Sequence, residues 1–348
     1  MVDWRLAEQI ARTVAGQPHD PLAIGADLAA LSDDSERLVS GYTGLAAAGP
    51  LPRAERLGRR EWIAANVSSL RPVLDPVVSG LGSGLGPLGG PLRSGAGVVL
   101  GAEVGLLLGA MAQRVLGQYD LVLLDADAPT RLLYVEPNLG EAARSFAADP
   151  EEFAHWVALH EVTHALQFGA VPWLRGHLAG LLQELLASLE VRVDASGLGR
   201  LPGRDDLRQL AGAVRSGDVI RLVAGPGRTE LMASLQATMA VVEGYAEHVM
   251  DVVGAEVLPS LAELRAALER RRASQPALAR LLTRLMGLDL KLRQYEQGKR
   301  FCDAVAAEGG ISALNRVWAG PEALPTLAEL DAPHAWIDRT RVPSVTSP

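Results

Sequence analysis

The run His160-Glu161-Val162-Thr163-His164 constrains this chain more than any other five residues. On a helix, positions i and i+4 lie one turn apart on one face, so two imidazoles can offer a nitrogen each to one metal ion. The glutamate between them can stand beside a water at that metal and accept its proton. Asp149, Pro150, Glu151 and Glu152 supply an N-cap acceptor, a proline for the first turn and two acids at the positive end of the dipole, so a helix is expected to begin at 149. Phe153, Trp156, Val157, His160, His164 and Phe168 then recur at helical spacing. That spacing predicts an amphipathic helix with both histidines on its buried face, ending at Gly169.

A catalytic zinc site generally takes three protein ligands and keeps a position for water, so a third donor is required. Residues 229–253 read as one long helix with Thr229 as its cap and Gly254 as its stop. Gln236, Met239, Ala240, Glu243, Glu247 and Met250 form one stripe along it. Two carboxylates at i and i+4 in an apolar stripe repel each other and lose hydration, a conflict that a dication resolves. Glu243 is taken as the third ligand and Glu247 as an acceptor orienting a ligand histidine, with their roles interchangeable at this stage.

HEVTHALQF followed by EGYAEHVMD resembles the gluzincin group of zinc metallopeptidases, whose third ligand is a glutamate on a later helix. The resemblance implies His160, His164 and Glu243 as ligands and Glu161 as the base. From VDWRLAEQIA through EWIAAN and KLRQYEQGKRF to NRVWAGPEALPT, the whole chain is similar to an actinobacterial family of zincin-like hydrolases often labelled with deazaflavin coenzyme biosynthesis. No residue here supports a coenzyme-making step. The resemblance further implies an edge strand beside the active helix that holds an extended substrate, for which residues 132–136 are the candidate.

Composition places the site in its frame. With 48% hydrophobic but only 4% aromatic residues, 36 Gly and 21 Pro, the chain reads as mainly α with several loops. The expected organisation is an N-terminal helical region over 1–95, closing with a glycine-rich loop at 79–95, and a zincin-like catalytic domain over 96–343. A helical insert occupies 170–228 and a loose tail 344–348. The glycine-rich loop lacks the Gly-Lys-Ser/Thr ending of a phosphate cradle. Residues 119–124 and 131–136 read as a β-hairpin around 125–130, and the segment from Asn315 as irregular. Gly97, Gly101, Gly105 and Gly109 predict a buried, glycine-faced helix over 96–116 rather than a membrane span, since Glu103, Gln113 and Arg114 interrupt it.

A net charge of −8 argues against nucleic acid as partner, and the clusters Arg53-Arg56-Arg59-Arg60 and Arg270-Arg271-Arg272 read as solvated helix faces. The single cysteine, Cys302, fits a reducing compartment, and the charged N-terminal segment lacks a secretory core, so a cytoplasmic location is expected. The reading is a zinc-dependent hydrolase of peptide or protein substrates. Tyr295 is a candidate oxyanion donor; Tyr245, His155 and His248 are out of helical phase, and His19, His177 and His334 lack metal-like spacing. A non-catalytic zinc staple, or an amidase acting on a non-peptide precursor, would use the same residues. Glu161 favours hydrolysis over the staple, because a closed structural site needs no carboxylate beside a water.

Overall fold

The computed structural model describes residues 1–16, 24–80, 89–125, 127–188, 226–273 and 288–341. Helices α1 (Trp4–Ala15) and α2 (Leu28–Thr43) begin at Asp3 and Asp27, whose carboxylates accept N–H groups of the first turn. Strand β1 (Ala54–Leu57) leads to α3 (Arg59–Gly80) and α4 (Gly89–Ala112). Strands β2 (Gly117–Asp120) and β3 (Arg131–Val135) precede α5 (Glu136–Phe146), α6 (Pro150–Ala170) and α7 (Pro172–Ser188). Helices α8 (Pro226–Val257), α9 (Leu261–Ala273) and α10 (Leu288–Leu314) follow, and α11 (Leu327–Asp331) and α12 (Pro333–Thr340) close the described chain.

This is the mainly α architecture expected, with one small sheet of order β1-β3-β2 among the described residues. β3 is central: Ala54 faces Leu132 in the parallel pair and Tyr119 faces Leu132 in the antiparallel pair. Leu132 and Tyr134 join a large core built around α6, while Val135 joins a smaller one made by α1, α3 and α4. Burial on both faces explains why β3 reads as a continuous apolar run rather than an alternating one.

Helix α6 runs through the large core. It starts where predicted, with Asp149 Oδ1 accepting from the N–H groups of Glu151 and Glu152. It is not amphipathic: Phe153, Ala154, Val157, Ala158, Leu159, Val162, Ala165 and Leu166 are all buried, because α2, α5, α8 and β2 surround it. Gly169 does not cap it. The helix continues to Ala170, and the missing Cβ lets Ala47 pack against that turn.

Several other expectations give way to packing. The loop expected at 79–95 is helical at both ends, α3 reaching Gly80 and α4 beginning at Gly89, with residues 81–88 outside the described set. α4 tolerates its glycines because they admit α1: a Cβ at Gly101 would lie 2.6 Å from the Asp3 carbonyl oxygen and one at Gly105 2.5 Å from that of Ala7. Its opposite face is open, with Val98, Val99 and Leu106 exposed. No helix among the described residues is long and apolar enough to cross a membrane.

Arg59 is a buried strut rather than a solvated charge, with Nε donating to Asn138 Oδ1 at 2.7 Å and its guanidinium to Glu141. Arg270, Arg271 and Arg272 have side chains outside the described residues. The segment from Asn315 is ordered into 3-10 turns and two helices, α11 opening on a capping box between Thr326 and Glu329. α8 passes Gly254 and ends at Val257. Much of the insert expected at 170–228 lies outside the described residues; its first part is α7.

Candidate metal centre

α6 and α8 cross so that three donors converge. His160 Nε2 and His164 Nε2 are 3.2 Å apart, and Glu243 Oε2 lies 3.7 Å from each. Donors around an ion with bonds of about 2.0–2.2 Å and tetrahedral angles stand about 3.3–3.6 Å apart. The observed separations lie within about 0.1 Å of that range, so the three donors stand near the corners of such a tetrahedron, and two imidazoles with one carboxylate form a donor set suited to zinc. Side-chain exposures of 24% for His160 and Glu243 and 11% for His164 leave one side reachable from solvent. Among the described residues, these three form the histidine, cysteine and carboxylate group able to hold a metal ion.

The turn of α8 that carries Glu243 makes a close backbone contact on its adjoining face. A Cβ on Gly298 of α10 would overlap the Ala240 carbonyl, and one on Gly244 would overlap Gly298 itself. Two helices approach this closely only through glycine, so α10 packs directly on the backbone of α8 at the turn that bears Glu243.

Glu161 points from α6 to the sheet. Its Oε2 accepts the N–H of Tyr119 in β2 at 2.9 Å, and its carboxyl group is buried. Gly117 makes room, since a Cβ there would sit 2.6 Å from Glu161 Cγ. Burial pushes the carboxyl up to about 7; Glu243 adds to the rise, while His164 and the Tyr119 N–H oppose it. For His164, burial works downward, yet the charges of Glu243 and Glu161 and the Gln167 bond outweigh it and lift the imidazole to about 9.

The acceptor for His164 Nδ1 is Gln167 Oε1, at 2.9 Å, and not Glu247. Glu247 is half-buried one turn along α8 from Glu243. A polar residue three places after His164, set among Ala165, Leu166 and Phe168, was the available signal for Gln167. Tyr295 has its side chain outside the described residues, as does His19.

The remaining histidines serve elsewhere. His248 joins Tyr42 to Asp303, His155 lies 3.6 Å from Asp34, and His177 packs on Trp173. His334 is exposed, 3.2 Å from Glu308. Tyr245 turns away from the metal centre and donates to Asn315 Oδ1.

The candidate substrate strand at 132–136 is corrected: β3 is paired on both sides and has no free edge, and Glu136 already begins α5. The edge strand beside α6 is β2. Tyr119 from that strand stacks on Phe168, their ring centres 5.9 Å apart, one turn beyond His164.

A mainly α fold with two histidines and a glutamate on one helix and a carboxylate from a later one defines a protein of the zincin-like class. The chain belongs to the zincin-like metallopeptidase family, whose profile matches residues 2–337. It is similar to a protein from Chloroflexus aurantiacus whose crystal structure is described as that of "a putative hydrolase with a novel fold". The two share 32% identity at a TM-score of 0.71, over 97% of this chain and 98% of the other. Among curated proteins, none matches the chain.

Proposed function

We propose that this protein is a zinc-dependent hydrolase that cleaves peptide bonds, with His160, His164 and Glu243 as ligands and Glu161 as the proton carrier. When bound, zinc would supply a Lewis acid for the carbonyl and a water acidified to a pKa of about 7. Glu161 takes a proton from the attacking water and returns it to the leaving nitrogen. Burial raises this carboxyl above its ordinary value in the metal-free chain, which makes it a stronger base toward that water.

The observation that carries this reading is the Tyr119 N–H bond to Glu161. It holds one carboxylate oxygen on the sheet side, which supports a carboxyl that stands beside the histidines rather than closing the site as a fourth ligand. The Val135 N–H donates to the Leu116 carbonyl at 2.9 Å, so in this register Gln118 also faces β3 while the main-chain groups of Gly117 and Tyr119 face the opposite edge. The carbonyls of these two residues would hold an extended peptide there.

The test is Glu161→Gln in a peptide-library assay with zinc measured in parallel. Zinc should be retained and cleavage should fall by about 10²–10⁴-fold. Unchanged cleavage would remove Glu161 from the chemistry. A wild-type chain that holds zinc with four protein ligands and cleaves nothing would favour a structural metal instead.

A further inference from the structure

Gln167 is fully buried, yet both ends of its amide are bonded. Its Nε2 donates to the Val242 carbonyl at 2.9 Å, and its Oε1 lies 2.9 Å from His164 Nδ1. The first bond decides the second. A carbonyl only accepts, so the amide nitrogen must face Val242 and the amide oxygen must face the imidazole. That oxygen also only accepts, so the neutral His164 ring carries its hydrogen on Nδ1. Its Nε2 lone pair is then directed where His160 Nε2 and Glu243 Oε2 converge.

Val242 directly precedes Glu243 in α8, whereas Gln167 and His164 belong to α6. One side chain thus connects the ring of one ligand to the backbone turn that bears another. We propose that Gln167 is the positioning residue of the metal centre, setting the His164 tautomer and fixing the spacing of the two ligand helices. This rests on the metal-site reading above and extends its motif to H-E-x-x-H-x-x-Q, the amide lying one turn past the second histidine.

Two geometric consequences follow from that link. An outward shift of the α8 turn draws the Val242 carbonyl away from the amide and frees the His164 ring to rotate. Replacement by an apolar side chain of similar length leaves both Nδ1–H and the Val242 side of the bridge without the amide, while the core volume is kept.

The test uses the full chain and zinc itself as probe. Gln167→Met should weaken zinc binding by about 10- to 100-fold in chelator competition and alter the visible spectrum of the cobalt-substituted protein. A purely structural role would lower the melting temperature of the metal-free chain and leave zinc affinity and the cobalt spectrum unchanged, which overturns the proposal. Nitrogen-15 histidine spectra of the zinc-loaded wild type provide a measurement that needs no variant. A proton on Nδ1 and metal on Nε2 of His164 support the role; metal on Nδ1 overturns it. A wild type that binds no zinc overturns the metal-site reading itself, and with it this one.

Discussion

Gly117→Ala tests whether the sheet positions the proton carrier. The added Cβ would lie 2.6 Å from Glu161 Cγ and 3.0 Å from its Cδ and Oε1. Carbon atoms in contact stand about 3.5–4.0 Å apart, so strand or side chain must move by about 1 Å. Neither moves freely: β2 is paired to β3 from Gly117 to Asp120, and Glu161 is buried and bonded to the next strand residue but one.

Overpacking of this kind costs about 1–3 kcal/mol, which for a chain of this length lowers the melting temperature by about 1–4 °C. A displacement of about 1 Å at a catalytic group costs about 10²-fold in rate. Melting followed by circular dichroism, zinc content and peptide cleavage are measured together, with Gly41→Ala as control because nothing lies within 4 Å of its added Cβ. Zinc should be retained, since the atoms nearest the added Cβ all belong to Glu161 and none to His160, His164 or Glu243. Wild-type melting and wild-type cleavage in Gly117→Ala would refute the reasoning.

Three further outcomes are expected. His164, raised to about 9, must give up its proton to bind a metal, so zinc uptake at pH 7–8 should release about one proton; calorimetry in buffers of different ionisation enthalpy reads this directly. The stability His164 gives the metal-free chain is fully present below about 6.5 and lost as pH rises through about 9, while ionisation of Glu161 against its raised value of about 7 removes more between about 4.5 and 7. The metal-free melting temperature should therefore fall from pH 5 to pH 9, and a rise across that range contradicts both assignments. Glu243→Ala should weaken zinc binding far more than Glu247→Ala, the latter by no more than about 10- to 100-fold; the reverse ranking in chelator competition contradicts Glu243 as the third ligand.

Much of the site is visible in local sequence because its determinants are local. Asp149 and Pro150 start α6, the i, i+4 histidines lie on one face of it, and Glu243 stands out as a carboxylate in an apolar stripe. What escapes is set across the fold. β1 is four half-exposed residues, AERL, whose pairing partner is 78 positions downstream. Gly117 and Gly298 look like ordinary glycines until the side chain or backbone they admit is known. α6 reads as amphipathic because the aromatic and histidine stripe is conspicuous, yet small residues such as Ala154, Ala158 and Ala165 bury its other side just as completely. The Thr326–Glu329 capping box was readable locally, but the proline and tryptophan around it obscured a short ordered helix.

The most direct measurement is the metal content of the purified protein, wild type beside His160→Ala and His164→Ala, by mass spectrometry of the metal after extensive dialysis. Three converging donors predict about one zinc per chain in the wild type and loss of bound zinc in either variant, because two remaining ligands hold it too weakly. Full zinc occupancy in both variants, or none in a wild type supplied with zinc, would contradict the account.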